Sequence, residues 1–246
     1  MSDWLVLFDI DGTLLDTRGA GLKAIRSAVA DLYGAQASVP RLELGGATDA
    51  GLVREILTAC GTEPDDGKIA DFYKTYVAHL AELLRAGDFT GEILPGVREL
   101  LDAFRQSGAI LGLLTGNLEE GAMLKLERFE LEEYFTFGAY GHERIERTEL
   151  GPIALARAQK VHGRSFHALE TVIIGDTPRD VACGRALGAW TIAVVTGSSS
   201  VEELSACNEP SLQPAGRSCE HKFDAPIPHR ADYFVVRVLE RERSCV

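Results

Sequence analysis

Trp4-Leu5-Val6-Leu7-Phe8 runs without a break into Asp9-Ile10-Asp11-Gly12-Thr13-Leu14. Five apolar residues followed by two carboxylates one residue apart describe a buried strand whose carboxyl end opens into a polar cleft. In an open parallel sheet, ligands bind at that edge. Strand alternation predicts that Asp9 and Asp11 point roughly the same way, with Ile10 opposed. Like charges held that close call for a neutralising partner, and a hard cation such as Mg²⁺, bound through oxygen, is the simplest one. Gly12 permits a turn that most side chains resist.

The rest of the chain fits around this strand. At 246 residues it is long enough for one α/β domain with a smaller insert, or for two modest domains. Its 46% hydrophobic and 25% charged residues are those of a globule able to bury a core. No run approaches eighteen apolar residues, so no membrane span is expected. The N-terminal residues resemble no signal peptide. The five Cys are widely spaced and contain no CxxC pair, so neither a zinc ribbon nor a redox pair is supported, and a cytoplasmic location is expected. A net charge of −12 argues against nucleic acid and against an anionic membrane surface. A small phosphate ester remains compatible, given a metal and a few local cations. The expected state is a monomer or homodimer.

From Asp16 to about residue 93 the pattern is helical and strand signals are lacking. Leu22, Ile25, Val29 and Leu32 form one stripe; Leu52, Val53, Ile56 and Leu57 a second, capped by Thr48 or Asp49; and Ile69, Phe72, Tyr76, Leu80 and Leu84 a third, starting near Asp65 or Asp66. This reads as an all-helical insert over 16–93, between a first core segment at 1–15 and the remaining core at 94–246. After Leu94-Pro95-Gly96, strands near 109–114, 135–139, 171–175, 190–195 and 232–236 alternate with helices near 119–129, 150–162, 179–187 and 201–205, as a doubly wound parallel sheet requires. Residues 206–230 are rich in Pro and polar residues and read as an irregular loop. Cys219, His221 and His229 within it match no standard metal spacing.

Asp-x-Asp-Gly-Thr after an apolar strand resembles the nucleophile motif of the haloacid dehalogenase superfamily, and the likeness extends over nearly the whole chain. It implies a Rossmann-like parallel core with a helical cap inserted after the first strand. It also implies that Asp9 attacks phosphorus to form an aspartyl phosphate, while Asp11 protonates the leaving group and then deprotonates water. Thr115-Gly116-Asn117, after the strand Ile110–Leu114, resembles the second motif, whose hydroxyl and backbone N–H groups hold phosphoryl oxygens. Val172-Ile173-Ile174-Gly175-Asp176-Thr177-Pro178-Arg179-Asp180 resembles the fourth. In it Asp176 reaches the Mg²⁺ that Asp9 and the backbone carbonyl of Asp11 also bind, and Asp180 orients the loop from behind.

The third motif departs from the family, which usually places a Lys there. Glu143 to Leu150 contains none. Arg147, just before the next helix, is the candidate for phosphate, with Arg144 as competitor. The resemblance implies an Mg²⁺-dependent phosphatase for a small metabolite, phosphoglycolate-like or a sugar phosphate. A sugar-phosphate mutase and a catalytically silent interaction module are the alternatives. Lys23 lies on a polar helix face beside Arg26 and reads as a solvated charge rather than a Schiff-base lysine. For substrate recognition, the Gly45–Thr48 loop with Arg18 and Arg54 could meet an anionic group.

Overall fold

The computed structural model describes residues 4–35, 37 and 45–207, and the backbone of 235–239. A six-stranded sheet forms the core. Its strands are β1 (Leu5–Phe8), β4 (Ile110–Thr115), β5 (Gly138–Tyr140), β6 (Thr171–Gly175), β7 (Trp190–Val194) and β8 (Val235–Leu239), in the spatial order β5-β4-β1-β6-β7-β8. β1 lies at the centre, parallel to β4 (Leu5 beside Ile110) and to β6 (Leu5 beside Thr171). Being covered on both faces, it is apolar at every position, as a buried parallel strand must be.

Alternation along β1 divides the core. Val6 and Phe8 face α4 (Val97–Ser107) and Phe135, with Phe8 edge-on to both Phe104 and Phe135. Leu5 and Leu7 face α6 (Leu150–His162), where Ala154 and Ala158 allow close approach. Helices α5 (Glu119–Arg128) and α7 (Pro178–Leu187) follow β4 and β6, and the short α8 (Val201–Ala206) follows β7. The chain therefore turns from strand to helix after Phe8, Thr115 and Gly175, all at one end of the sheet. Cys183 is buried and Cys60 half-buried, and both are free thiols.

α1 (Ala20–Tyr33), α2 (Asp49–Ala59) and α3 (Asp66–Arg85) assemble around an apolar cluster of their own that includes Val29, Ile56, Leu57, Phe72, Tyr76 and Leu80. Leu118, at the head of α5, joins that cluster, so the three helices rest on the sheet's helical layer. Thr48 caps α2 by accepting from Gly51 N at 3.2 Å, and Asp65 caps α3 by accepting from Lys68 N at 2.9 Å.

Two expectations require correction. The segment is not wholly without strands, because β2 (Leu15–Asp16) and β3 (Glu92–Ile93) pair antiparallel where the chain leaves and re-enters the core. Two residues are too few to show a period of two in sequence. The sheet is also not entirely parallel, since β8 runs antiparallel to β7. An edge strand has only one neighbour to satisfy, and mixed edges on parallel sheets are common. Most of the stretch read as irregular, with Cys219, His221 and His229, lies outside the described residues.

Candidate active site

Asp9 follows β1 directly. Its N–H still donates to Ile174 O at 2.9 Å, which fixes its backbone to the sheet. Asp176 sits at the same level after β6, and Asp180 lies one turn into α7. Carboxylate oxygens of Asp9, Asp176 and Asp180 lie within 4.8 Å of one another, and all three residues are buried. Asp180 accepts from Thr177 N at 3.1 Å and Thr177 Oγ1 at 2.6 Å, a capping box that also holds the N-terminus of α7. Thr13 Oγ1 donates to Asp176 at 3.3 Å. Gly12 makes this proximity possible: its φ is +77°, and a Cβ there would stand 2.6 Å from Asp176 Oδ2.

Arg147 supplies the charge facing these acids. It lies in a 3-10 turn (Arg147–Glu149) immediately before α6 and is 4% exposed. Its Nη2 is 3.2 Å from Asp9 Oδ2 and 2.5 Å from Asp180 Oδ1, and it donates to Leu114 O at 3.1 Å. Nη1 donates to Gly46 O at 3.2 Å, while Nε has no partner among the described residues. Arg144 is exposed, pairs with Glu149 at 3.6 Å and does not line the cavity that Asp9 and Asp176 border.

Three buried carboxyl groups face one guanidinium, two more than it can balance. Burial first, and then like charge, raise Asp9 to about 6 despite Arg147, and raise Asp176 to about 8. An all-oxygen, electron-rich donor set held this way fits a hard divalent cation.

Asp11 borders the same cavity but meets other partners. β1 ends at Phe8, so the alternation that would aim Asp9 and Asp11 together no longer operates when Asp11 is reached. Its Oδ2 is met by Lys125 Nζ at 2.5 Å and by Asn117 Nδ2 at 2.9 Å. Lys125 Nζ also donates to Asn117 Oδ1 at 2.6 Å, and Asn117 Nδ2 to Thr115 Oγ1 at 2.8 Å. Thr115 is fully buried behind Asn117, so the hydroxyl proposed for phosphate is engaged first in orienting that amide. Gly116 is closed in by the insert, where a Cβ would stand 1.9 Å from Ala47 O.

The loop before α2 docks on these turns through its backbone. Asp49 N donates to Gly116 O at 2.8 Å, Ala50 N to Gly141 O at 2.9 Å and Thr48 Oγ1 to Ile145 O at 2.6 Å. Asp49 Oδ2 accepts from Leu118 N at 2.7 Å, at the start of α5, and burial raises its carboxyl to about 6. Between insert and core lies a cavity of about 510 Å³, lined by Asp9, Asp11, Asp176, Arg147, Lys125 and Asn117 on the core side. Neither Arg18 nor Arg54 lines it: Arg18 pairs with Asp16 and Glu92, and Arg54 donates to Ala50 O at 3.2 Å. Lys23 is exposed.

Lys125 and Asp49 were not legible as site residues. Asp49 reads only as a possible helix cap. Lys125 had a signal: it stands on the buried side of α5 with Gly121, Ala122 and Leu126, where a lysine needs a partner.

Comparisons with known proteins give the family and the fold. Residues 6–194 match the family described as haloacid dehalogenase-like hydrolase. A phosphoglycolate phosphatase of Agrobacterium fabrum is 26% identical over 200 residues, covering 80% of this chain and 82% of its own. Phosphoglycolate phosphatase 1 of Pseudomonas aeruginosa is 26% identical over 195 residues, covering 78% and 70%. The crystal structure of CbbY from Rhodobacter sphaeroides in complex with phosphate shares the fold, with a TM-score of 0.64 at 20% identity over 79% of this chain and 86% of that one.

Proposed function

The chain belongs to the haloacid dehalogenase-like hydrolases, and on that premise we propose that it is an Mg²⁺-dependent phosphatase of small phosphate monoesters, working through an aspartyl phosphate on Asp9. The observation that carries this reading is Asp9 itself: a buried strand-end carboxylate with a guanidinium at 3.2 Å and Asp176 alongside. Asp9 attacks phosphorus, and Arg147 steadies both the carboxylate and the charge that develops on the phosphoryl oxygens. Asp11, held by Lys125 and Asn117 at the cavity wall, hands a proton to the leaving oxygen and later takes one from water. The Thr115-Gly116-Asn117 turn meets the phosphoryl oxygens. Asp9, Asp176 and the backbone carbonyl of Asp11 would hold Mg²⁺, which supplies charge neutralisation for phosphoryl transfer. Asp180 keeps Arg147 and the Thr177 turn in place. The names of the curated relatives support the phosphatase reading. We place the protein in the cytoplasm, as a monomer or homodimer; no helix of the described residues is long and apolar enough to cross a membrane.

Hydrolysis of p-nitrophenyl phosphate with and without Mg²⁺ tests the reading. Turnover should require the metal, cease in excess chelator, and need more Mg²⁺ or vanish in Asp176→Ala. Undiminished turnover in chelator would overturn the metal assignment.

A further inference from the structure

The cavity extends well past the phosphoryl-transfer centre, and its far end is built by the insert. The wall there consists of Leu22, Ile25, Leu52, Asp49 and Tyr76, with Lys125 rising from the core. Its volume of about 510 Å³ suits a small metabolite. Three polar groups converge at this end. Tyr76 is 4% exposed and borders the cavity. Its hydroxyl and Lys125 Nζ stand 3.8 and 3.9 Å from where a Cβ at Gly21 would sit, so the missing side chain of α1 leaves the space beside them open. Asp49 gives one carboxylate oxygen to Leu118 N and borders the cavity with the rest.

The charges at this end do not favour an anion. Lys125 already spends two donors, on Asp11 and Asn117, and its charge is offset by Asp11 at 2.5 Å. While Asp11 is ionised, Asp49 leaves the neighbourhood with one negative charge in excess. Among the described residues the insert brings no cation to the cavity wall. The tyrosine hydroxyl stays protonated, since burial and the Asp49 and Asp11 charges push its ionisation well above the ordinary range. The end therefore offers one neutral donor, one spare ammonium proton and one carboxylate acceptor, between apolar walls. A hydroxyl satisfies such a set, donating to Asp49 while accepting from Tyr76 or Lys125. A carboxylate or second phosphate can donate nothing and meets like charge.

We infer that the insert-facing end of the cavity is a subsite for a leaving group that carries a hydroxyl and no second negative charge, with Asp49 and Tyr76 setting that preference. This rests on the phosphatase reading and narrows it to monoesters of small neutral alcohols and polyols, away from phosphoglycolate and from bisphosphates.

Two esters of equal length decide it, because 2-hydroxyethyl phosphate and phosphoglycolate differ only in –CH₂OH against –COO⁻. The wild-type protein should favour the first by at least tenfold in kcat/KM. Asp49→Asn, which keeps an acceptor for Leu118 N, should shrink that ratio at least threefold by relieving the repulsion. Tyr76→Phe should lower kcat/KM for 2-hydroxyethyl phosphate at least threefold more than for p-nitrophenyl phosphate, a contrast that a general loss of packing would not give. Parity or a preference for phosphoglycolate overturns the inference, as does cleavage of the aryl ester with neither small ester turned over. A ratio unmoved by Asp49→Asn removes Asp49 from it, and equal losses in Tyr76→Phe remove Tyr76. If no ester is hydrolysed, the phosphatase reading falls instead. Calorimetric titration of Asp9→Asn protein with the two esters then decides the subsite, where the same preference is expected in affinity and equal or reversed affinities overturn it.

Discussion

The floor of the cavity and its insert-facing wall each hold a cation against a carboxylate, but in opposite circumstances. At the floor both side chains of the Arg147–Asp9 pair are sealed, at 3% and 6% exposure, and two further carboxylates press on them. At the wall Lys125 is sealed at 4%, but the Asp11 carboxylate is 43% exposed. The floor crowds carboxyl groups where burial opposes their charge, which suits a nucleophile and a metal. The wall balances its charge and keeps its carboxylate open, which suits a group that exchanges protons with substrate and solvent. Both aspartates sit in an ion pair, so on the proposed roles it is burial that distinguishes them.

Four measurements would break or sharpen this contrast. The largest effect is expected from Asp9→Asn, which should cut p-nitrophenyl phosphate turnover by about a thousandfold or more, because the amide cannot act as a nucleophile. Its metal-free melting temperature should hold or rise, since one buried like charge is gone. Retention of more than a few per cent of activity, with contaminating phosphatases excluded, sinks Asp9 as nucleophile.

Arg147→Ala comes next. Loss of the one cation that the described residues bring to the floor should reduce kcat about a hundredfold or more, and remove roughly 3–5 kcal/mol of stability by leaving buried carboxylates unpaired. Arg147→Lys should restore part of the turnover, keeping charge but not the forked geometry. Arg144→Ala should stay within about twofold of wild type, as a solvated surface pair contributes little. Near-normal kinetics in Arg147→Ala would show that the floor does not depend on its guanidinium.

A smaller effect is expected at the wall. Lys125→Met should lower kcat by about ten- to a hundredfold by releasing Asp11 and Asn117 from their shared orientation, while water still solvates the freed Asp11 and limits the loss of stability. Denaturant melts of Lys125→Met and Arg147→Ala side by side check this, and equal destabilisation would erase the difference between floor and wall.

The smallest effect concerns pH. Asp9 and Asp176 titrate at about 6 and about 8 in the folded chain, against an ordinary value of 3.8. Between those limits the folded state binds more protons than the unfolded one, so unfolding free energy falls as pH rises. The metal-free protein should therefore melt several degrees lower at pH 8.5 than at pH 5.5, each kcal/mol being worth about 2–4 °C in a chain of this size. Mg²⁺ should raise the melting temperature more at the higher pH. A flat profile without metal would mean that the floor carries no stored repulsion.

Much of the site was visible before folding. Asp9, Asp176 and Asp180 follow β-branched or apolar runs, and the switch from strand to turn to capped helix is local chemistry, carried by Gly12, Thr177 and Pro178. The same locality explains the agreement of helices such as Leu150–His162 with their apolar periodicity. The two-residue ribbon of β2 and β3 was too short for any period, and the direction of β8 depends on a neighbour rather than on its own residues.

Local residues set the parallel strands, the order of the motifs and which aspartates end those strands, because strand alternation, helical spacing and turn residues act over a few positions. Which cations meet those aspartates, and what lines the space beyond them, follows from packing between distant segments. Lys125 reaches Asp11 across 114 positions, Arg147 rather than Arg144 reaches Asp9, and Asp49 comes from another cluster altogether to close on the head of α5. A charge on a helix does not state its partner. That partner is chosen by the packing that takes both groups out of water, and packing is a property of the assembled layers, not of the residues taken in turn.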